Sequence, residues 1–143
     1  MHIIFGGAFN GKRQYVKERL AGMDVSWHEG RLPETENGNG FIVIAGLELW
    51  VKEQLGRGVN EERILVQVKK AVAEMQQDHF WVLTDMNRGI VPATALEREM
   101  RDVIGRLYQY LFAQAEQITR IWYGIPQTIK GADQNENLHK NRR

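Results

Sequence analysis

The stretch His2-Ile3-Ile4-Phe5-Gly6-Gly7-Ala8-Phe9-Asn10-Gly11-Lys12-Arg13 decides how the chain is read. His2 to Phe5 predict an apolar strand, the glycines a turn, and Lys12-Arg13-Gln14-Tyr15 the opening of a helix. Gly6-x4-Gly11-Lys12 has the spacing of a phosphate-binding loop, where successive backbone N–H groups curl around an anion at a helix N-terminus. Glycine serves where the backbone takes positive φ or approaches a phosphate without a Cβ. Lys12 supplies a point charge for the outer phosphates. The pattern ends in Lys-Ser or Lys-Thr because a hydroxyl there ligates magnesium, and Arg13 stands at that position instead. An arginine binds phosphate oxygens but ligates no cation. A plain strand-to-helix turn with an exposed lysine is the competing reading of the same residues.

Bulk composition narrows the function classes. A chain of 143 residues suits one core, and a net charge of +1 gives no global attraction to nucleic acid or an anionic membrane. Cysteine is absent, which excludes disulfides, zinc–thiolate sites and a cysteine nucleophile. No apolar run approaches the ~20 residues of a membrane span. The expectation is a cytoplasmic domain over residues 1–130, followed by a polar, disordered tail over 131–143.

A first helix is expected from Lys12 to Leu20, ended by Gly22. Asp24 to Trp27 reads as a short strand or a bridge, and His28 to Gly40 as a polar loop, with Asn37-Gly38-Asn39-Gly40 close to pure turn sequence. Phe41-Ile42-Val43-Ile44-Ala45 suits a central strand covered on both faces. Helices follow over Glu48 to Leu55 and after the capping residue Asn60, with Ile64, Leu65, Val68, Ala71, Val72 and Met75 on one face. Phe80 to Thr84 is a third strand, Asp85-Met86-Asn87-Arg88-Gly89 a polar turn. Pro92 opens a long helix from Ala93 to Ala115, with Leu96, Met100, Val103, Leu107 and Leu111 as its buried stripe. Ile118 to Tyr123 is a fourth strand, with a short strand near Thr128-Ile129. Alternating strands and helices predict an α/β fold on a mainly parallel sheet with helices on both faces, whose site lies beyond the strands' carboxyl ends.

Asp85-Met86-Asn87-Arg88-Gly89-Ile90-Val91-Pro92, with Arg98, Arg101-Asp102, Gly105-Arg106, Gln109 and Gly124-Ile125-Pro126, resembles one family. It is the bifunctional adenosylcobinamide kinase / adenosylcobinamide-phosphate guanylyltransferase family of cobalamin biosynthesis. Leu47, Leu49 and Trp50 match its Leu-Thr-Leu-Trp, and Gly6-Gly7-Ala8 opens its phosphate loop. The resemblance implies a RecA-like P-loop fold, a homo-oligomer (often a trimer), ATP or GTP as nucleotide, Mg2+ as its companion, and a corrinoid, adenosylcobinamide, as acceptor. It further implies a guanylylated histidine in a His-x3-Arg-Pro context. His28-Glu29-Gly30-Arg31-Leu32-Pro33 echoes that order with the arginine one place early, while aligning Trp27 with a downstream tryptophan would delete the histidine. Ala45 stands at the family's strand-end aspartate, Asp85 at a glutamate, Asn87 at a glycine and Tyr108 at an asparagine.

The resulting candidates are Lys12, Asp85 and His28 for chemistry, Gly6, Gly7, Ala8, Asn10, Gly11, Lys12 and Arg13 for nucleotide phosphates, and Asp85 for a metal. Each has a plainer reading: His28 as a solvated loop residue, Asp85 as a turn-forming side chain, and Arg98, Asp102 and Arg106 as a solvated ion-pair face. The tryptophans at 27, 50, 81 and 122 read as core or subunit contacts rather than a corrinoid platform. Two functions stay open. One is a shortened family member that keeps a nucleotide-phosphate site, with guanylyl transfer lost and kinase activity in question. The other is a non-catalytic nucleotide- or corrinoid-binding subunit that pairs with a full-length paralogue.

Overall fold

The structure, a computed structural model, describes residues 1–34, 40–86 and 94–131. Its elements alternate: β1 (His2–Gly6), α1 (Lys12–Arg19), β2 (Val25–Glu29), β3 (Phe41–Ala45), α2 (Leu47–Gly56), α3 (Glu61–Glu74), β4 (His79–Thr84), α4 (Ala95–Gln114), β5 (Gln117–Trp122) and β6 (Ile125–Lys130). They form one sheet in the order β2-β3-β4-β1-β5-β6, parallel except for β6, which runs against β5. This is the α/β, mainly parallel architecture expected from the sequence, and it agrees with a P-loop fold.

Side chains alternate across each strand, so the two faces of the sheet build two cores. Ile4, Val43, Ala45, Val82 and Ile121 meet Val16 and Leu20 of α1 on one face. Ile3, Ile42, Ile44, Trp81 and Leu83 meet α2, α3 and α4 on the other, through Leu47, Trp50, Ile64, Val68, Leu107 and Leu111. Burying each such large side chain contributes roughly 1.5–3 kcal/mol. Among the described residues, no helix is long and apolar enough to cross a membrane.

Helix starts follow local chemistry. Asn60 accepts a hydrogen bond from the Arg63 N–H at 2.9 Å, and Thr94 accepts one from the Glu97 N–H at 3.1 Å. The long helix therefore begins at Ala95, two residues later than proline placement suggested. Its buried stripe is Val103, Ile104, Leu107, Tyr108 and Leu111, and Leu96 is exposed rather than buried. Arg106 pairs with Glu61 of α3 rather than within the expected row on its own helix. β5 and β6 form a hairpin whose two turn residues, Tyr123 and Gly124, both have positive φ (48° and 77°). Pro126 lies on the edge strand, where a missing N–H breaks no central ladder. Trp81 and Trp50 are core residues, while Trp122 is half exposed. The turn expected over Asn37 to Asn39, the segment Asn87 to Pro92 and the tail from 132 lie outside the described residues.

Candidate functional site

β1 lies between β4 and β5, and the chain leaves it for the far edge of the sheet before returning on both sides. The carboxyl end of β1 is consequently the place where connections diverge and a crevice opens. Gly6 ends the strand there in tight quarters: a Cβ on it would collide with the Ile121 carbonyl oxygen. Only glycine lets β1 and β5 close at that point.

Beyond Gly6 the chain turns through Phe9, whose φ is 60° and whose side chain is fully exposed at the crest. Asn10 is buried beneath it, and its carbonyl accepts a hydrogen bond from the Gly124 N–H at 2.9 Å, so the β5–β6 hairpin turn buttresses the loop. Gly11, at φ 86°, starts α1 without any side-chain cap. The first-turn N–H groups of α1 thus keep their donor capacity for an anion.

Lys12 is only 4% exposed, and its Nζ donates to the Gly7 carbonyl at 2.6 Å. Burial, then the neighbouring Arg13 charge, pushes its pKa down, while the Glu48 and Asp85 carboxylates hold the ammonium in its charged form. Arg13 points elsewhere. Its Nε and Nη2 donate to the two carboxylate oxygens of Glu29 at 2.9 and 2.8 Å, a bidentate pair across to the end of β2. That hydrogen-bonded partner raises the Arg13 pKa and lowers that of Glu29.

Two cavities adjoin this turn. One of about 360 Å³ is lined by residues 8–14 with Glu48 and Thr84. The other, of about 560 Å³, is lined by Gly7, Ala8, Asn10, Thr84, Asp85 and Tyr123, together with Lys52, Met86, Glu97, Met100 and Arg101. Ala8, Asn10 and Thr84 face both, so they form a shared wall. Asp85 is fixed beside the loop by its N–H donating to the Gly6 carbonyl at 2.8 Å.

The family model described as cobinamide kinase / cobinamide phosphate guanyltransferase matches residues 12–129. This chain belongs to that family. Its members use ATP and GTP in cobalamin biosynthesis. No curated protein matches the chain.

Most of the nucleotide candidates of this family member come together: Gly6, Gly7, Ala8, Asn10, Gly11 and Lys12 form one turn, with Asp85 across from it. Arg13 lines the smaller cavity but is occupied by Glu29. His28 is corrected: it lies in β2, not in a polar loop, and is buried at 8% exposure. In register with Ile44, its ring shares the α2–α4 face, while Glu29 beside it turns to Arg13. Glu48 and Thr84 had escaped notice. The available signal for Glu48 was an acidic residue in the first turn of the helix that follows a central strand.

The fold family implies Mg2+ alongside the nucleotide. Ala45 and Arg13 offer it nothing, and among the described residues no three His, Cys, Asp or Glu side chains gather as a metal cage. Mg2+ fits such a place nonetheless, because it is bound through one or two carboxylates plus substrate phosphates, keeping several waters. Glu48 and Asp85 are hard oxygen donors of that kind, and both are close enough to act on the Lys12 charge.

Proposed function

We propose that this protein binds a nucleoside triphosphate, ATP or GTP, by its phosphates in the turn from Gly6 to Lys12. The acceptor, a corrinoid side-chain hydroxyl, enters the larger cavity across the shared wall. One observation carries the reading: a buried lysine inside an uncapped glycine turn at the end of the central strand, beside two cavities that meet at Ala8, Asn10 and Thr84. Loop N–H groups and Lys12 would neutralise the phosphates once the ammonium leaves the Gly7 carbonyl. Asp85, beside the loop, would orient the acceptor hydroxyl and take its proton as the new O–P bond forms and the β,γ-bridging P–O bond breaks. Bound Mg2+ supplies further charge neutralisation.

Guanylyl transfer through His28 is not part of this reading. A nucleophile must meet the α-phosphate, and His28 is packed into an outer strand on the α2–α4 face. Homo-oligomerisation belongs to the proposal, supported by exposed Trp122, Tyr123, Ile125 and Ile129 on the terminal hairpin. A second reading, a binding subunit without catalysis, is favoured by Ala45 and by the capture of Arg13 by Glu29. Titration with ATP and GTP, with and without Mg2+, followed by incubation with adenosylcobinamide, separates them. Binding with phosphorylated product supports the enzyme, binding without product supports the subunit, and no binding overturns both.

A further inference from the structure

The end of β3 is where the resembled pattern places a metal-anchoring aspartate, and Ala45 there is fully buried and offers no oxygen ligand from its side chain. Three residues on, where that pattern has threonine, Glu48 projects from the first turn of α2. Its Oε2 is buried and has no hydrogen-bond partner among the described residues. A carboxylate oxygen withdrawn from water without a donor is costly, and a native site resolves that cost with a water or a cation. Glu48 lines the smaller cavity together with Gly11, Lys12 and Thr84, and its charge acts on Lys12, Arg13 and Tyr108.

The surrounding cations do not settle it. Lys12 donates to Gly7, and Arg13 gives both arms of its fork to Glu29. Neither cation is hydrogen-bonded to Glu48, whose carboxylate lines the same cavity and keeps capacity for a further cation. A carboxylate so placed repels a naked triphosphate and favours one that brings a divalent cation.

We propose that Glu48 is the relocated metal carboxylate of this chain: it ligates the divalent cation of a bound nucleoside triphosphate from the start of α2, in place of the strand-end residue that Ala45 has lost. The inference rests on the nucleotide reading above and goes beyond it by assigning the metal preference to one side chain. Exchange of position is physically reasonable because β3 runs into α2 with only Gly46 between them. Gly46 has φ 69°, and a Cβ on it would lie 2.6 Å from a Glu29 carboxylate oxygen, so the turn is tight and the first residues of α2 stay at the sheet edge.

The test is binding rather than turnover. Full-length protein is titrated with ATP in the absence of metal, and Mn2+ is then titrated into the protein–ATP mixture with the electron paramagnetic resonance of free Mn2+ as readout. The wild-type protein is expected to bind ATP more tightly with Mn2+ than without. Glu48→Gln should weaken Mn2+ retention by at least about tenfold, and leave metal-free ATP affinity unchanged or raised, since a negative charge beside the phosphates is gone. Glu48→Thr should give the same loss, with circular-dichroism melts confirming that both variants are folded. Unaltered Mn2+ retention in either folded variant, or ATP affinity that is the same with and without Mn2+ in the wild type, overturns the assignment while leaving the nucleotide site intact. Absence of ATP binding in the wild type under both conditions overturns the nucleotide reading and this inference together.

Discussion

At the amino edge of the sheet, His2 and His79 are buried beside a cavity of about 560 Å³. At the carboxyl edge, Lys12 and Glu48 line a cavity of about 360 Å³, which shares a wall with a second of about 560 Å³. The amino-edge groups find partners in the fold: His2 Nε2 shares a 2.9 Å hydrogen bond with Thr119 Oγ1, and His79 Nδ1 accepts one from Trp81 Nε1 at 2.8 Å. The carboxyl edge is assembled differently. Lys12 is parked on a backbone carbonyl, Glu48 Oε2 has no partner among the described residues, and Phe9 and Gly11 hold positive φ. Pocket size alone does not separate a site from a fissure. What separates them is whether buried polar groups are satisfied by the fold itself or left with capacity for a ligand.

Gly6→Ala gives the largest expected effect, because the new Cβ would press on backbone rather than on a side chain that can turn away. A loss of roughly 4 kcal/mol or more follows from overpacking at an inflexible contact, and a chemical-denaturation curve should show it. A stable Gly6→Ala protein would mean that β1 and β5 part easily and that the carboxyl edge is not preorganised. Next comes Lys12→Ala, which should weaken ATP or GTP by about 100-fold, equivalent to ~2.7 kcal/mol. Its melting temperature should change little by comparison, since the lysine is held by one hydrogen bond. Isothermal titration beside a thermal melt checks both halves of that statement.

These two positions also mark what the sequence made legible. Glycine spacing and an apolar strand place Lys12 at a helix start, because local chain chemistry sets both. The family match begins at Lys12, so the reading of Gly6 to Gly11 rests on geometry. His28 was misplaced because a polar, glycine-rich surrounding hides a strand whose pairing partner, β3, lies in sequence beyond the loop. Arg13 was legible as a lost magnesium ligand, but its grip on Glu29 depends on where β2 ends, which no local pattern encodes. Glu48 went unread for the same reason: its meaning comes from the cavity opposite, not from its neighbours in the chain.

Acidification should act on the opposite edge. Burial, reinforced for His2 by the Arg19 and N-terminal charges and for His79 by the N-terminal charge, lowers each pKa from 6.5 to about 4. Between those values the unfolded chain binds more protons than the folded one, so stability is full above about pH 6.5 and is lost as the pH falls through the window. At pH 5 the loss reaches up to about 2 kcal/mol per histidine. A His2→Gln/His79→Gln protein should show a flatter dependence of melting temperature on pH between 7 and 5, with nucleotide affinity at pH 7 unchanged. Altered affinity would show that the two edges are coupled through β1 and β4. Tyr108→Phe is smaller again: loss of its 2.9 Å hydrogen bond to the Thr84 carbonyl should cost about 1 kcal/mol.

Arg13→Ala should have the least effect, and it sharpens the contrast most. The guanidinium and its Glu29 partner are each nearly half exposed, at 40% and 45%, so the pair contributes only about 0.2–1 kcal/mol to stability. While the fork stays on Glu29, ATP affinity should fall by less than about threefold, or ~0.6 kcal/mol. Glu29 also accepts from Trp27 Nε1 at 3.2 Å, which keeps its carboxylate at the end of β2 whether or not the arginine is present. The alternative outcome is equally definite. A tenfold or greater loss of ATP affinity in Arg13→Ala, with an unchanged melting temperature, would mean that the guanidinium leaves Glu29 for the phosphates on binding. Arg13 would then be a cradle residue held in reserve, and the carboxyl edge would bind triphosphate with two cations rather than with one lysine and the cation that Glu48 retains.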